Sequence, residues 1–339
     1  MYNLLRPLLF QLNPERAHAL TLYALRIAGN VPPTRHLLEL IYKTPSKPVT
    51  VFGLTFKNPV GLAAGYDKDG LAIRGLAALG FGHVEIGTVT PKRQPGNPSP
   101  RVFRLVEDEA VINRMGFPSL GMEFVKEQLS VSSGQLPVIV GVNIGKNKDT
   151  PNEEAEFDYL ALLSRFAPFA DYLTVNVSSP NTAGLRDLQE RRALENLLLH
   201  LHQQRMVEQE HLKRKLPILV KLSPDMDEPG LDGALEAVFA AQMDGVIVTN
   251  TTLGREGLES KYRGESGGLS GKPLTVKSEA VLHQAIKHLN GKIPVVSAGG
   301  IMNPDDAKRR LELGAALVQV YTGLVYRGPG LAKEIVKAI

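Results

Sequence analysis

From residue 58 onward, short and nearly all-apolar runs rich in β-branched residues alternate with stretches whose apolar positions recur at helical spacing. Eight such runs are present: PVGLAA (59–64), HVEIGTV (83–89), PVIVGVNI (137–144), YLTVNVS (172–178), PILVKLS (217–223), GVIVTNT (245–251), PVVSAGG (294–300) and LVQVYTG (317–323). A strand that is apolar on both sides of its alternation is buried on both faces, as parallel strands under helices are. Eight successive units of this kind predict an α/β fold, a (β/α)8 barrel. An open doubly wound sheet is the alternative, but it needs no particular strand number, and the G-x-G-x-x-G fingerprint is missing. The segment GGLSGKP (267–273) faintly resembles a P-loop, yet its glycine spacing is wrong and Pro273 stands where Ser or Thr should be.

Two appendages break the regular pattern. VTVFGLTFK (49–57) alternates around Gly53 as a hairpin that would cover the barrel's bottom. Between strands two and three, residues 90–136 form a β-rich insertion in which RVFRLVEDEAVINRM reads as extra strands and a lid over the mouth. Residues 1–46 form a separate N-terminal unit, and residues 47–339 the barrel. In that unit PERAHALTLYALRIAG (14–29) and PPTRHLLELIYK (32–43) each begin with proline, allowed in a first helical turn, and carry leucines at helical spacing. They predict a two-helix amphipathic extension with its joint near Gly29-Asn30.

Composition narrows the chemistry. The 339 residues, 43% hydrophobic and 22% charged, suit a soluble globular protein with ample core. No run of about 18 apolar residues and no secretory-signal pattern occurs, which points to the cytoplasm. The absence of cysteine excludes disulfides, thiolate metal sites, iron–sulfur ligation and a cysteine base. Net charge is +4, and its excess is local: residues 1–48 hold six basic side chains against Glu15 and Glu39, leaving 33 against 33 elsewhere. Such an excess is a solvated helical face or a contact with an anionic membrane, and no aromatic-rich basic stripe supports nucleic acid.

Barrel enzymes carry their chemistry at the C-terminal ends of the strands, and the polar residues gather there. Lys68 follows strand one, Thr88 ends strand two, Asn143 strand three, Asn176 strand four, Lys221 strand five, and Thr249 with Asn250 strand six. Gly299-Gly300 and Tyr321-Thr322-Gly323 close strands seven and eight, where phosphate is often held by backbone N–H groups, although glycine pairs are also ordinary turn formers. Lys221 interrupts an otherwise apolar strand, so it needs an anionic partner, either a ligand or a structural carboxylate. The asparagines at 113, 143, 176, 181 and 250 offer both donors and acceptors, as a ring with alternating N–H and C=O groups requires; singly, each would be a turn or cap residue. NVSSPNTAGLR (176–186) brings no histidine or acid beside its serines, so a hydrolase triad is unsupported.

The motifs LAAGYDKDG (62–70), EIGTVTPKRQPGNPSPRVFRL (85–105), INRMGFPSLG (112–121), GVNIGKNKDT (141–150), NVSSPNTAGLR, VTNTT (248–252) and GGLSGKPL (267–274) together resemble the dihydroorotate dehydrogenase family, in its quinone-dependent, class 2 branch. That resemblance implies oxidation of dihydroorotate to orotate, a step of pyrimidine biosynthesis, through one FMN. It places FMN against Ala64, Gly65, Tyr66, Asp67, Lys68, Thr88, Asn143, Asn176, Lys221, Thr249, Gly271, Gly300, Tyr321 and Thr322. It places dihydroorotate against Lys68, Asn113, Arg114, Met115, Gly116, Phe117, Asn176, Asn181, Asn250 and Thr251, and makes Ser179 the catalytic base. The class 1 branch uses a cysteine there, and one class 1 form needs an iron–sulfur partner subunit; neither is expected here. The N-terminal helices imply a membrane quinone as acceptor, at His18, Arg104 and Tyr321, and peripheral attachment to the cytoplasmic side of the inner membrane. Tyr66 and Ser223 depart from the family pattern, and neither removes a functional group. A barrel isomerase or synthase acting on a phosphorylated metabolite, and a non-catalytic membrane-docking protein, are the rival readings; the first would be colourless and the second would not need Lys221.

Overall fold

The computed structural model describes residues 2–132 and 138–339. Pro137, expected to open the third strand, and residues 133–136 of the expected insertion lie outside them. In chain order the helices are α1 (Tyr2–Gln11), α2 (Pro14–Asn30), α3 (Pro32–Ile41), α4 (Ile73–Ala78), α5 (Met122–Ser132), α6 (Ala155–Phe166), α7 (Arg191–Leu212), α8 (Glu228–Ala240), α9 (Thr275–Leu289), α10 (Pro304–Glu312), α11 (Thr322–Arg327) and α12 (Leu331–Ala338). The strands are β1 (Val49–Val51), β2 (Leu54–Phe56), β3 (Val60–Leu62), β4 (His83–Val89), β5 (Val102–Leu105), β6 (Ala110–Asn113), β7 (Ile139–Ile144), β8 (Tyr172–Asn176), β9 (Ile218–Leu222), β10 (Gly245–Val248), β11 (Gly268–Gly271), β12 (Val295–Ala298) and β13 (Leu317–Val320).

Each of the eight apolar runs contributes one barrel strand. The order β3-β4-β7-β8-β9-β10-β12-β13 is parallel throughout and closes when Val318 pairs with Val60. Outward-facing side chains such as Val84, Val142, Val175 and Val220 are fully buried beneath the helices. The interior is graded along its axis. At the bottom, the β1–β2 hairpin turns at Phe52-Gly53 and inserts Phe52 and Phe56 against Leu219, Ile247 and Leu317, so the expected cover becomes a plug. Above it lies a polar layer of His83, Glu85, Tyr172, Thr174 and Gln319, all buried. Two of its rings fit only because the neighbouring strand carries glycine: a Cβ on Gly61 would lie 2.0 Å from His83 Nε2, and one on Gly141 would lie 2.1 Å from Tyr172 Cζ.

Two expectations are corrected. The N-terminal extension has three helices, not two, because Tyr2–Gln11 forms α1 despite an internal Pro7. Its Phe10 ring meets Tyr326 of α11 edge-to-face at 5.4 Å. The insertion is β-rich only over β5 and β6, since α5 is the barrel's own crossover helix between β4 and β7. Its small sheet gains a third strand from the glycine-rich segment, where Ser270 of β11 pairs with Val111 of β6. The segment GGLSGKP, whose P-loop likeness failed on spacing, thus supplies an edge strand. Along α2, Gly29 packs against Gly75 of α4 so tightly that an added Cβ would lie 2.3 Å from the Gly75 nitrogen. No helix among the described residues is long and apolar enough to cross a membrane.

Candidate active site

A cavity opens at the C-terminal ends of the barrel strands. Its floor is a connected hydrogen-bond network that begins at the buried Glu85. Glu85 Oε1 accepts from Asn143 Nδ2 at 2.9 Å, and Oε2 accepts from Gln319 Nε2 at 2.9 Å and from the Tyr172 and Thr174 hydroxyls, each at 3.1 Å. Four donors fill the acceptor capacity of this buried carboxyl. The network fixes the Asn143 amide, whose Oδ1 accepts from Thr88 Oγ1 and from Asn176 Nδ2 at 3.0 Å. Asn176 Oδ1 then accepts from the Ser178 hydroxyl at 3.0 Å, and Asn250 Nδ2 donates to Ser178 Oγ at 2.9 Å. Across the mouth, Asn181 Nδ2 donates to Asn113 Oδ1 at 3.2 Å.

Lys221 rises from β9 into this floor and is 5% exposed. Burial lowers its pKa, and the charge of Glu85 opposes that shift. The structural carboxylate is therefore real, yet it does not bond the ammonium: among the described residues no group accepts a hydrogen bond from Lys221. A buried ammonium left in this way calls for an acceptor delivered from the cavity side. Lys68 sits at the opposite wall, donating to the Gly65 carbonyl, and burial brings it down to about 8 against the pull of Asp69. At the far end the cavity meets Gly271, Gly299, Gly300, Thr322 and Gly323. Helix α11 begins there without a side-chain cap, so its first N–H groups have no side-chain acceptor. Ser179, 5% exposed, lines the mouth, and its Oγ accepts from the Asn181 backbone N–H at 3.2 Å.

Most sequence-derived residues meet in this cavity: Ala64, Gly65, Lys68, Thr88, Asn176, Lys221, Thr249, Gly271, Gly300, Tyr321 and Thr322 line it, as do Asn113, Met115, Gly116, Phe117, Ser179, Asn181, Asn250 and Thr251. Asn143 lies just beneath. Three others point elsewhere. Asp67 is buried and accepts from the N–H groups of Leu71 and Ala72, which shapes the loop after β3. Arg114 pairs with Glu265 at 2.6 Å and covers the Phe103 ring. Tyr66 turns away, edge-to-face with His18 at 5.0 Å. Glu85 and Gln319 were not singled out from the sequence. Glu85 was detectable by the argument applied to Lys221, a charge inside an apolar strand.

A second cavity of about 770 Å³ lies between the N-terminal helices and the barrel. Its walls are largely apolar, from Leu9, Phe10, Leu22, Leu25 and Val325, and it contains His18, Arg104 and Tyr321 together. Lys68, Met115 and Tyr321 border both cavities, so one wall separates them. His18 Nε2 lies 2.7 Å from the Tyr66 carbonyl, which makes it the protonated nitrogen. Burial, then the nearby Lys68 charge, pushes its pKa down to about 4, so the imidazole is neutral. Arg104 donates to the Phe10 and Leu12 carbonyls and ties the end of α1 to β5.

Fold and site define a (β/α)8-barrel protein with a polar, lysine-bearing cavity at its strand ends and a largely apolar chamber adjoining it. Comparison with known proteins supplies the family. The family model described as dihydroorotate dehydrogenase matches residues 47–339. A protein of Idiomarina loihiensis named dihydroorotate dehydrogenase (quinone) is 48% identical, over 99% of each chain. One of the same name from Halorhodospira halophila is 49% identical over 100% of this chain and 97% of its own. A crystal structure of DHODH from Eimeria tenella in complex with ferulenol superposes with a TM-score of 0.88 at 39% identity, covering 96% of this chain and 90% of that one. The chain belongs to the dihydroorotate dehydrogenase family.

Proposed function

We propose that this chain oxidises dihydroorotate to orotate in pyrimidine biosynthesis, using one bound FMN, and passes the electrons to a membrane quinone. The observation that carries the reading is the buried, unpartnered Lys221 ammonium over a floor of ordered amides, one wall away from an apolar chamber. These residues fit FMN. Gly300, at φ +71° with no room for a Cβ beside Thr275, and the uncapped start of α11 suit its phosphate, while Thr88, Asn176 and Lys221 suit its ring. When bound, FMN supplies the acceptor for the hydride from C6 of dihydroorotate.

The chain's own residues do the rest. Lys68 and the Asn113–Phe117 turn hold the carboxylate, and Asn176, Asn181 and Asn250 hold the ring amides, which fixes the reacting carbon in place. Ser179 takes the C5 proton. Thr182, three residues beyond Ser179, has a buried hydroxyl with no hydrogen-bond partner among the described residues, and with Phe117 it suits a water that carries the proton out. Lys221 would hold the cofactor ring from β9 and supply a positive charge beside it. His18, Arg104 and Tyr321 border the quinone's chamber, and residues 1–46 form the unit that admits it, apart from the barrel of residues 47–339. Attachment is peripheral, on the cytoplasmic side of the inner membrane, with no iron–sulfur partner subunit.

The test is spectroscopic. Purified protein should show a flavin absorption spectrum that bleaches on adding dihydroorotate and recovers on adding a quinone. A colourless preparation that stays inactive after incubation with FMN would overturn the proposal.

A further inference from the structure

Arg186 lies outside the lining of the first cavity, yet its side chain connects three of the segments that surround it. It belongs to the short helical turn Leu185–Gln189 that follows β8. Its Nε donates to the Ser178 carbonyl at 3.0 Å, Nη1 to Asp225 Oδ2 at 2.9 Å, and Nη2 to the Thr251 carbonyl at 2.9 Å. The three acceptors lie beyond three different strands, β8, β9 and β10. Only a planar fork of donors spans such a set, and a lysine ammonium cannot. Asp225 is itself held: burial would raise its pKa, but hydrogen bonds from Lys277, Thr252, the Leu253 N–H and Arg186 outweigh that and bring it to about 2. The anchor is therefore charged at every working pH.

Both carbonyls adjoin site residues. Ser178 directly precedes Ser179, and Thr251 follows Asn250 and itself lines the cavity. A peptide unit is planar, so tying down the Ser178 oxygen also fixes the Ser179 nitrogen and the direction of its Cα. We propose that Arg186 is a positioning residue for dihydroorotate oxidation, clasping the Ser179 loop to the Asn250–Thr251 loop without touching the ligand. This rests on the function proposed above. Displacing a reacting group by about 1 Å can cost on the order of 10²-fold in rate, so the clasp acts on the reductive half-reaction. The quinone chamber, bordered by other residues, is outside its reach.

The experiment compares wild-type, R186A and R186K holoenzymes by FMN content, thermal unfolding, stopped-flow flavin reduction by dihydroorotate, and reoxidation by a soluble short-chain quinone. R186A should load FMN and reoxidise as wild type does, yet reduce its flavin about 10- to 100-fold more slowly, with R186K in between. Normal reduction in R186A overturns the clasp. So does a parallel fall of FMN content and of both half-reactions, which is what a merely structural ion pair would give. Should R186A fail to fold, R186Q, which keeps much of the bulk but loses the three-way fork of donors, must show the same split. If dihydroorotate leaves even the wild-type flavin oxidised, the functional reading fails and the clasp with it; a reduced wild type beside an equally fast R186A sinks the clasp alone.

Discussion

At the scale of single residues, the site depends on polar groups whose environments push them away from their solution behaviour. Ser179 illustrates the chemical side. In its proposed role the hydroxyl is a weak base, held by one backbone N–H, so the rate would depend on its position and on an exit for its proton. Ser179→Ala should retain FMN and bind orotate, while flavin reduction by dihydroorotate slows about 10²–10⁴-fold, the usual contribution of a positioned base. Stopped-flow reduction near the wild-type rate would remove Ser179 from the mechanism. His83 illustrates the thermodynamic side. Burial within the barrel lowers its pKa from 6.5 to about 3, and His18 falls to about 4. Unfolding frees both imidazoles to bind protons, so their contribution is fully present above pH 6.5 and is lost as pH falls toward the folded values. For His83 alone the loss is on the order of a few kcal/mol. Thermal unfolding should therefore drop steeply between pH 6.5 and pH 4, and His83→Gln should flatten that slope; an unchanged slope would assign acid lability to other groups.

At the scale of elements, α2 forms one wall of the apolar chamber only because two helices touch through glycine. The Gly29–Gly75 crossing leaves no space for a side chain, and a Cβ on Gly75 would lie 2.1 Å from the Leu25 carbonyl. Gly29→Ala should push α2 off α4 at a cost of about 1–3 kcal/mol, typical of overpacking. Because the chamber is walled by α2 and the first cavity is not, oxidation of the reduced flavin by quinone should slow, with reduction by dihydroorotate unaltered. Measuring each half-reaction separately checks this, and equal loss of both would show that the crossing supports the whole barrel instead.

At the scale of the whole molecule, the N-terminal helices carry both a local excess of positive charge and exposed apolar side chains. Leu4, Leu8, Tyr23, Leu37 and Leu40 are each more than half exposed, and Arg6, Arg16, Arg26 and Arg35 lie among them. In the proposed peripheral attachment, such a surface would meet an anionic bilayer by partial insertion plus Coulomb attraction, which salt weakens. Co-sedimentation with vesicles containing anionic lipid should therefore fall as ionic strength rises, and detergent should release the protein intact. Removing residues 1–46 should abolish vesicle binding and reoxidation by a long-tailed quinone while sparing flavin reduction, provided that the truncated protein remains soluble and flavin-loaded. Unchanged reoxidation would mean that these helices are packing alone.

The sequence by itself determined the barrel. Apolar, β-branched strands buried on both faces leave few arrangements, and all eight runs became strands because hydrophobic period is a local property. It also pointed to the candidate site, since Lys221 and the asparagines are polar among largely apolar strands. Tertiary structure decided what depends on partners distant in the chain. Helix α1 forms in spite of Pro7 because Phe10 finds Tyr326. The segment Gly268–Gly271 becomes a strand because β6 offers it an edge. Arg114 leaves the cavity for Glu265, and Glu85 gathers four donors from four residues across the barrel. Hydrogen bonds and ion pairs choose among many candidates of equal chemistry, and only closure of the barrel, which fixes distances between strands, makes that choice.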